Sequence, residues 1–192
     1  MATPRGQDAD WRDPWPVKGV RPGEPEPSPG VTALAEDGFV AVFDVETLET
    51  DRDEYQDHLN NAAVVRIFNE LRTAYIAARF APDWPRLVRR QALTVAVREL
   101  HVLYESEGWL HERYVGATRV TQSRGKAAVV EQRLVEAATA RPLARAWVLQ
   151  LLVDADGQVA EWPSVFWDRV RAVQGAPVAR IDDPARPAWG PP

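Results

Sequence analysis

Residues 51–76 read DRDEYQDHLNNAAVVRIFNELRTAYI, and the organisation of the chain follows from them. From Asn60 onward Val64, Ile67, Phe68, Leu71, Tyr75 and Ala78 recur at spacings of three and four, which predicts one face of an α-helix over residues 60–80. Asp57 or Asn60 is placed to cap its start, and Pro82 and Pro85 stop it. The residues before the helix are a different matter. Asp51, Asp53, Glu54 and Asp57 make a charge run, which composition alone reads as a solvated loop.

Working outward, Phe39–Thr50 (FVAVFDVETLET) is apolar and β-rich, a first strand. Everything after the helix has strand character. Residues 91–104 alternate through Leu93, Val95 and Val97, then shift phase to Leu100, Val102 and Tyr104. The shift predicts a bulge near Arg98-Glu99. Gly108 turns the chain into a strand over 109–121, on which His111 sits; His101 lies on the strand before. Ser123-Arg124-Gly125-Lys126 makes a hairpin turn, residues 127–137 and 141–153 are further strands, and a short helix comes next over 163–173. One strand, one long helix and four strands predict an α+β fold. Its antiparallel sheet, of about five strands, wraps around one long central helix, because a strand pair alone cannot bury Phe68, Leu71 and Tyr75.

The flanks differ in composition. Residues 1–36 are rich in proline and glycine and are expected to form an extended or disordered arm, with Trp11 and Trp15 as docking points; residues 37–175 form the domain, and 176–192 a loose tail. The chain has 192 residues, a net charge of -5 and no cysteine. That excludes disulfides and thiolate chemistry, removes any general attraction to nucleic acid, and leaves no metal site or cofactor to expect, since no His pair has ligand spacing. The eight tryptophans are unaccompanied by a basic stripe and read as core and contact residues. No apolar run approaches the roughly 20 residues of a membrane helix, and the polar first residues lack a signal-peptide core, so a cytoplasmic protein without membrane insertion is expected.

With its central stretch, this element order resembles the hotdog-fold acyl-CoA thioesterases, of the 4-hydroxybenzoyl-CoA thioesterase and acyl-carrier-protein thioesterase types. Their recurring pattern is an acidic pair, a short gap, Gly-His-Val-Asn-Asn, an apolar helix and Glu-x-x-Arg or a close variant. His58-Leu59-Asn60-Asn61 matches the His-x-Asn-Asn core, and Asn69-Glu70-Leu71-Arg72 the later helix positions. Glu99, Gly108 and Glu131-Gln132 also look like the family, and the resemblance covers residues 38–175. Asp57 stands where the family has Gly. The resemblance places the catalytic carboxylate four residues before the His. Ungapped, that is Glu54, and Glu54-x-Gln56-x-His58 is similar to the Asp-x-Asn-x-His set of plant-type acyl-carrier-protein thioesterases. With one extra loop residue, Asp51-x-Asp53 is the acidic pair and Asp53 the carboxylate. Asp57 is a third candidate.

Such a site implies hydrolysis of an acyl-CoA or acyl-carrier-protein thioester. The carboxylate acts as base on water or as nucleophile. Backbone N–H groups around Asp57–Leu59 at the helix start stabilise the oxyanion. His58 and Asn61 orient water or substrate, and Gln56, Leu59, Asn60 and Glu70 complete the binding residues. Each has a plainer reading: Asn60 and Asn61 are good caps, and Glu70 can pair with Arg66 on the helix surface. A homodimer with a continuous sheet is expected, with a tetramer as a larger assembly, because a lone sheet leaves an open edge. Two other readings stay open. In (R)-specific enoyl-CoA hydratases an Asp-x-Asn-Pro-x-His pattern has the spacing of Asp53 and His58, though Tyr55-Gln56 stands at Asn-Pro. A non-catalytic acyl-binding or assembly protein is the other.

Overall fold

The computed structural model describes residues 19–21, 23–80, 84, 88 and 90–181. Helix α1 (Pro29–Glu36) precedes strand β1 (Val42–Val45), a 3-10 turn (Glu49–Asp51) and helix α2 (Asn61–Arg79). Strands β2 (Thr94–Tyr104), β3 (Tyr114–Arg124), β4 (Ala127–Glu136) and β5 (Pro142–Val153) come next. The two-residue strand β6 (Val159–Ala160), helix α3 (Ser164–Gln174) and strand β7 (Ala179–Arg180) close the order. The main sheet runs β1-β3-β4-β5-β2; all its neighbours are antiparallel. β6 adds to β5, and β7 pairs parallel with β3.

The alternation of strand side chains divides the sheet into two faces. Tyr114, Thr118 and Val120 of β3, Ala128, Val130 and Leu134 of β4 and Ala144, Ala146 and Val148 of β5 turn inward. Against them pack Ile67, Phe68, Leu71, Ala74 and Tyr75, the buried face of α2. Backbone and helix come close at Gly116, where a Cβ would stand 2.5 Å from Leu71 Cδ1. Polar groups enter this layer at Thr118 and Gln132. Gln132 donates from Nε2 to the Phe68 carbonyl (2.8 Å) and to Thr118 Oγ1 (3.1 Å), tying the middle of α2 to β4.

The first half of the sheet's other face is covered by α1. Leu34 and Phe39 form a second core with Val42, Val115, Ala117 and Val135, and Arg119 lies 4.2 Å over the Phe39 ring. Here the expectation of an extended or disordered arm through residue 36 is corrected. Residues 23–28 adopt no regular element, but at Ser28 the chain enters a helix, with Ser28 Oγ accepting from the Val31 N–H (3.3 Å) and Pro29 in the first turn. Proline there forfeits no helical hydrogen bond and supplies the right φ. The tail also departs from the expected loose coil: β7 pairs with β3, and the Ile181 N–H donates to the Ser123 carbonyl at 2.9 Å. Residues 182–192, Trp11, Trp15, Pro82 and Pro85 lie outside the described residues.

Other expectations differ in extent. The first strand is confined to Val42–Val45, because the 3-10 turn ends it: Asp51 Oδ2 accepts the Leu48 N–H at 2.8 Å. α2, β4, β5 and α3 fall within a residue or so of their expected bounds. The bulge in β2 lies between Val97 and Glu99, as the phase shift predicts. The third long strand begins at Tyr114 rather than Trp109. His111 takes φ 69°, and the buried Tyr114 hydroxyl accepts the Trp109 N–H (2.6 Å) while lying 2.7 Å from Glu112 Oε2, so residues 109–113 are held as a turn. Burial, then the Glu112 hydrogen bond, pushes the Tyr114 phenol well above its ordinary range.

Leu71→Ala is expected to cost about 2–5 kcal/mol, and Gly116→Ala about 1–3 kcal/mol from overpacking. Because the added methyl group and the deleted side chain share one space, the double variant should lose less than the sum, with a coupling of about 0.5–3 kcal/mol in denaturant unfolding. Strict additivity would show that α2 does not rest on this strand.

Candidate active site

The start of α2 is built by backbone ties on two sides. Residues 52 and 59 form an antiparallel bridge, and the Asp53 N–H donates to the His58 carbonyl at 2.9 Å. Residues 53–58 are therefore a closed excursion whose tip carries Glu54, Tyr55, Gln56 and Asp57, all exposed. On the other side, His58 bridges Trp109, and the Leu59 N–H donates to the Gly108 carbonyl at 2.8 Å. Gly108 permits this approach, since a Cβ there would stand 2.6 Å from Leu143 and 3.0 Å from Leu59.

Asn60 is the cap. Its Oδ1 accepts the Ala63 N–H at 2.7 Å, and its Nδ2 donates to the Arg52 carbonyl at 3.2 Å. Asp57, the other candidate cap, instead pairs with Arg52 at 2.5 Å. The loop is anchored from below by Asp51, almost fully buried, which accepts from Arg66 Nε (3.0 Å) and Nη2 (2.5 Å). Arg66 is thereby turned toward the loop.

These ties decide which donors remain. The Leu59 and Asn60 N–H groups are taken by the carbonyls of Gly108 and Asp51. The expected oxyanion role for the backbone of 57–59 is corrected at Leu59 for that reason. Asn61 and Ala62, at the first two helical positions, have no intrahelical acceptor for their N–H groups, and both residues are exposed.

A cavity of about 340 Å³ opens at this helix end, lined by His58, Leu59, Asn61, Val64, Gly108 and Leu143, with Tyr104, Glu105, Ser106 and Glu107 from the end of β2 and the loop after it. Of the residues anticipated from sequence, the structure brings His58, Leu59 and Asn61 together here. Gln56 joins them indirectly, its Oε1 3.0 Å from His58 Nδ1. Asp53 closes its own turn by accepting the Tyr55 N–H at 2.9 Å. Glu54, Asp57 and Glu70 are not among the lining residues. His111 is not on a strand but in the turn beyond Trp109, with Nε2 3.5 Å from Glu49.

Sequence reasoning missed the wall opposite the helix. The Tyr104 hydroxyl donates to the Asn61 carbonyl at 3.2 Å, and burial raises its pKa. Ser106 Oγ donates to the Pro142 carbonyl at 2.5 Å and accepts from Arg141 Nη1 at 2.8 Å. Glu105 is paired with Arg145 at 2.6 Å, which leaves Glu107 as the carboxylate-bearing residue of the lining without an ion pair among the described residues. The only sequence signal for this wall was its position just before the Gly108 turn. Among the described residues no group of three His, Asp or Glu side chains is placed to hold a metal, and no helix is long and apolar enough to cross a membrane.

No curated protein sequence matches the chain. A thioesterase-superfamily protein from Jannaschia sp. CCS1 superimposes with a TM-score of 0.66 at 19% identity, over 81% of this chain and 97% of that one. A Thermus thermophilus thioesterase, solved with coenzyme A and Zn, gives 0.63 at 22% identity over 74% and 99%. The 1,4-dihydroxy-2-naphthoyl-CoA thioesterase of Synechocystis gives 0.60 at 11% over 67% and 93%. At these identities the structures share the fold. The family itself is shown by sequence: the model of the thioesterase-like superfamily matches residues 45–170, well over half of the chain and the whole span from the end of β1 through most of α3, so this protein belongs to the thioesterase-like superfamily.

Proposed function

We propose that the protein hydrolyses an acyl-CoA or acyl-carrier-protein thioester at the N-terminus of α2. The observation that carries this reading is the exposed, uncapped pair of N–H groups at Asn61 and Ala62 beside a cavity lined by His58, in a chain of this superfamily. The thioester carbonyl oxygen becomes an oxyanion when water attacks the carbonyl carbon. N–H donors with a helix dipole behind them stabilise that charge without reorganisation. A carboxylate takes the proton of the attacking water, the C–S bond breaks, and the thiolate leaves and is protonated.

Glu54 is the first candidate for the base, by its spacing to His58 and because Gln56 already bonds the His58 ring. Asp53 is the second, with Asp57 behind it. Glu107 joins them because it shares the cavity with His58. The exposed loop tip fits a site completed by a second subunit. β2 is an outer strand of the sheet and leaves Val95, Val97, Leu100, Leu103 and Tyr104 substantially exposed, an apolar edge of the kind that proteins pair or cover. A homodimer joined edge to edge through β2 is the assembly this surface favours.

Glu54→Gln, Asp53→Asn, Asp57→Asn and Glu107→Gln, assayed separately for release of free thiol from acyl-CoA, should include one variant that loses about 10²–10⁴-fold in turnover with an unchanged melting temperature. Enoyl-CoA hydration measured alongside should be absent. Hydration without thiol release would assign the hydratase reading, and acyl-CoA binding with neither activity the binding-protein one. Asp51→Ala behaves differently: removing the buried partner of Arg66 should cost about 3–5 kcal/mol of stability, read as a lowered melting temperature. Light scattering should show a dimer at micromolar protein, and Val97→Lys at the β2 edge should shift it toward monomer; a wild-type monomer would remove the proposed edge pairing.

A further inference from the structure

A different cavity, of about 470 Å³, lies further along the same helix and strand, between the later turns of α2 and the start of β2. Its walls are largely apolar, with Ile76, Val95, Val130, Trp162 and Phe166 prominent. Aromatic rings in mutual contact form part of the wall, Trp84 stacked 5.9 Å from Trp162 and Phe166 tilted against Trp162 at 4.3 Å. Among the described residues lining it, Arg72 alone carries a charge.

The partners of Arg72 are all neutral. Nη1 donates to the Phe68 carbonyl (3.2 Å) and to Gln132 Oε1 (2.8 Å), and Nη2 donates to Asn69 Oδ1 (3.1 Å). No carboxylate pairs with it among the described residues; Asn69 occupies the position one turn back where an acid would do so. Burial depresses its pKa to about 10, so the guanidinium is still charged at neutral pH. A largely desolvated cation without an anion is costly. Those contacts use three of its five N–H groups, and the Nε–H and one Nη2–H are left to donate. That edge matches a carboxylate bidentately.

We propose that this cavity receives the distal part of the acyl group and that Arg72 pairs with a carboxylate carried there, so that the preferred substrates are ω-carboxyacyl thioesters. The inference rests on the thioesterase reading for the reacting end only. Arg72 is eleven residues beyond Asn61 on α2, roughly 16 Å along the helix axis. A long acyl chain with its thioester at the helix start therefore ends near the guanidinium. The apolar walls take the methylenes, and the terminal carboxylate supplies the missing anion.

The test uses the full-length protein and two CoA derivatives of equal chain length, one ending in a carboxylate and one in a methyl group. Stable thioether analogues are titrated by calorimetry, and the thioesters are assayed for hydrolysis. The carboxylate analogue should bind about 10- to 100-fold more tightly, the range of a charge-assisted hydrogen-bonded pair. The advantage should appear in KM more than in kcat. Arg72→Gln should abolish it and Arg72→Lys retain part of it. Asn69→Glu, which keeps Arg72 and gives it an internal anion, should abolish it as well, and so serves if Arg72→Gln does not fold. Equal binding of the two analogues by the wild type overturns the proposal even if both thioesters are hydrolysed. Arg72-dependent preference without hydrolysis supports the site and removes the thioesterase reading instead. Arg72-dependent binding of a free long-chain acid, with no preference between the thioether analogues, would make the ligand a product and overturn the substrate assignment.

Discussion

The structure depends on one requirement: α2 must bury a continuous apolar face, and the inner face of one curved sheet does it. Ile67, Phe68, Leu71 and Ala74 are completely removed from water. Fully burying one of the three larger side chains is worth about 1.5–3 kcal/mol, and the sheet supplies the opposing wall of the cluster. The close approach that makes this efficient is possible because β3 presents Gly116 beneath Leu71. The Gln132 amide bonded to the Phe68 carbonyl then fixes where along its axis the helix sits. Apolar packing alone is non-directional; the buried amide supplies the register.

That placement determines the chemistry at the helix start. With α2 held in the sheet, its N-terminus emerges at the end where β2 finishes and the Gly108 turn begins. Asp51 and Arg66 pin the preceding turn to the helix, Asn60 caps it, and Leu59 is bonded to Gly108. Each of these takes up a polar group that would otherwise be left without a partner at the helix start. The Asn61 and Ala62 N–H groups of the first turn have no intrahelical acceptor, whereas that of Ala63 is taken by the Asn60 cap. The same helix carries Arg72 about three turns later, among the residues lining the other cavity, so α2 contributes side chains to both cavities, and β2 lines each of them as well.

The outer face has a different owner. α1 and Phe39 cover Val42, Val115, Ala117 and Val135, and the Arg119–Glu131 and Arg133–Asp37 pairs frame that patch. α3 closes the inner layer: Gln174 accepts the Val120 N–H at 2.7 Å and donates to the Val120 carbonyl at 2.9 Å, satisfying backbone groups where β3 shifts register. The β2 edge is left as the apolar surface without a covering element among the described residues.

Much of this was determined by the sequence alone. The three-and-four spacing from Val64 to Tyr75 specifies α2, the alternation after residue 93 specifies the strands, and the phase slip at Arg98-Glu99 marks the bulge, because these are periodic, local properties. The helix start was legible from the same periodicity together with Asn60 as a cap. The α1 helix was hidden by the prolines around it, since a proline at a first helical turn and one in a loop are alike in composition and differ only in the conformation of the residues after them. Only the tertiary structure decided the rest. Tyr104 and Glu107 face His58 from a strand end more than forty residues away, the Leu59 N–H is lost to Gly108, and Arg72 is held by neutral partners, one of them sixty residues away at Gln132. Whether a charge is paired, or a donor free, depends on the groups that the fold brings beside it, and no spacing along the chain encodes that.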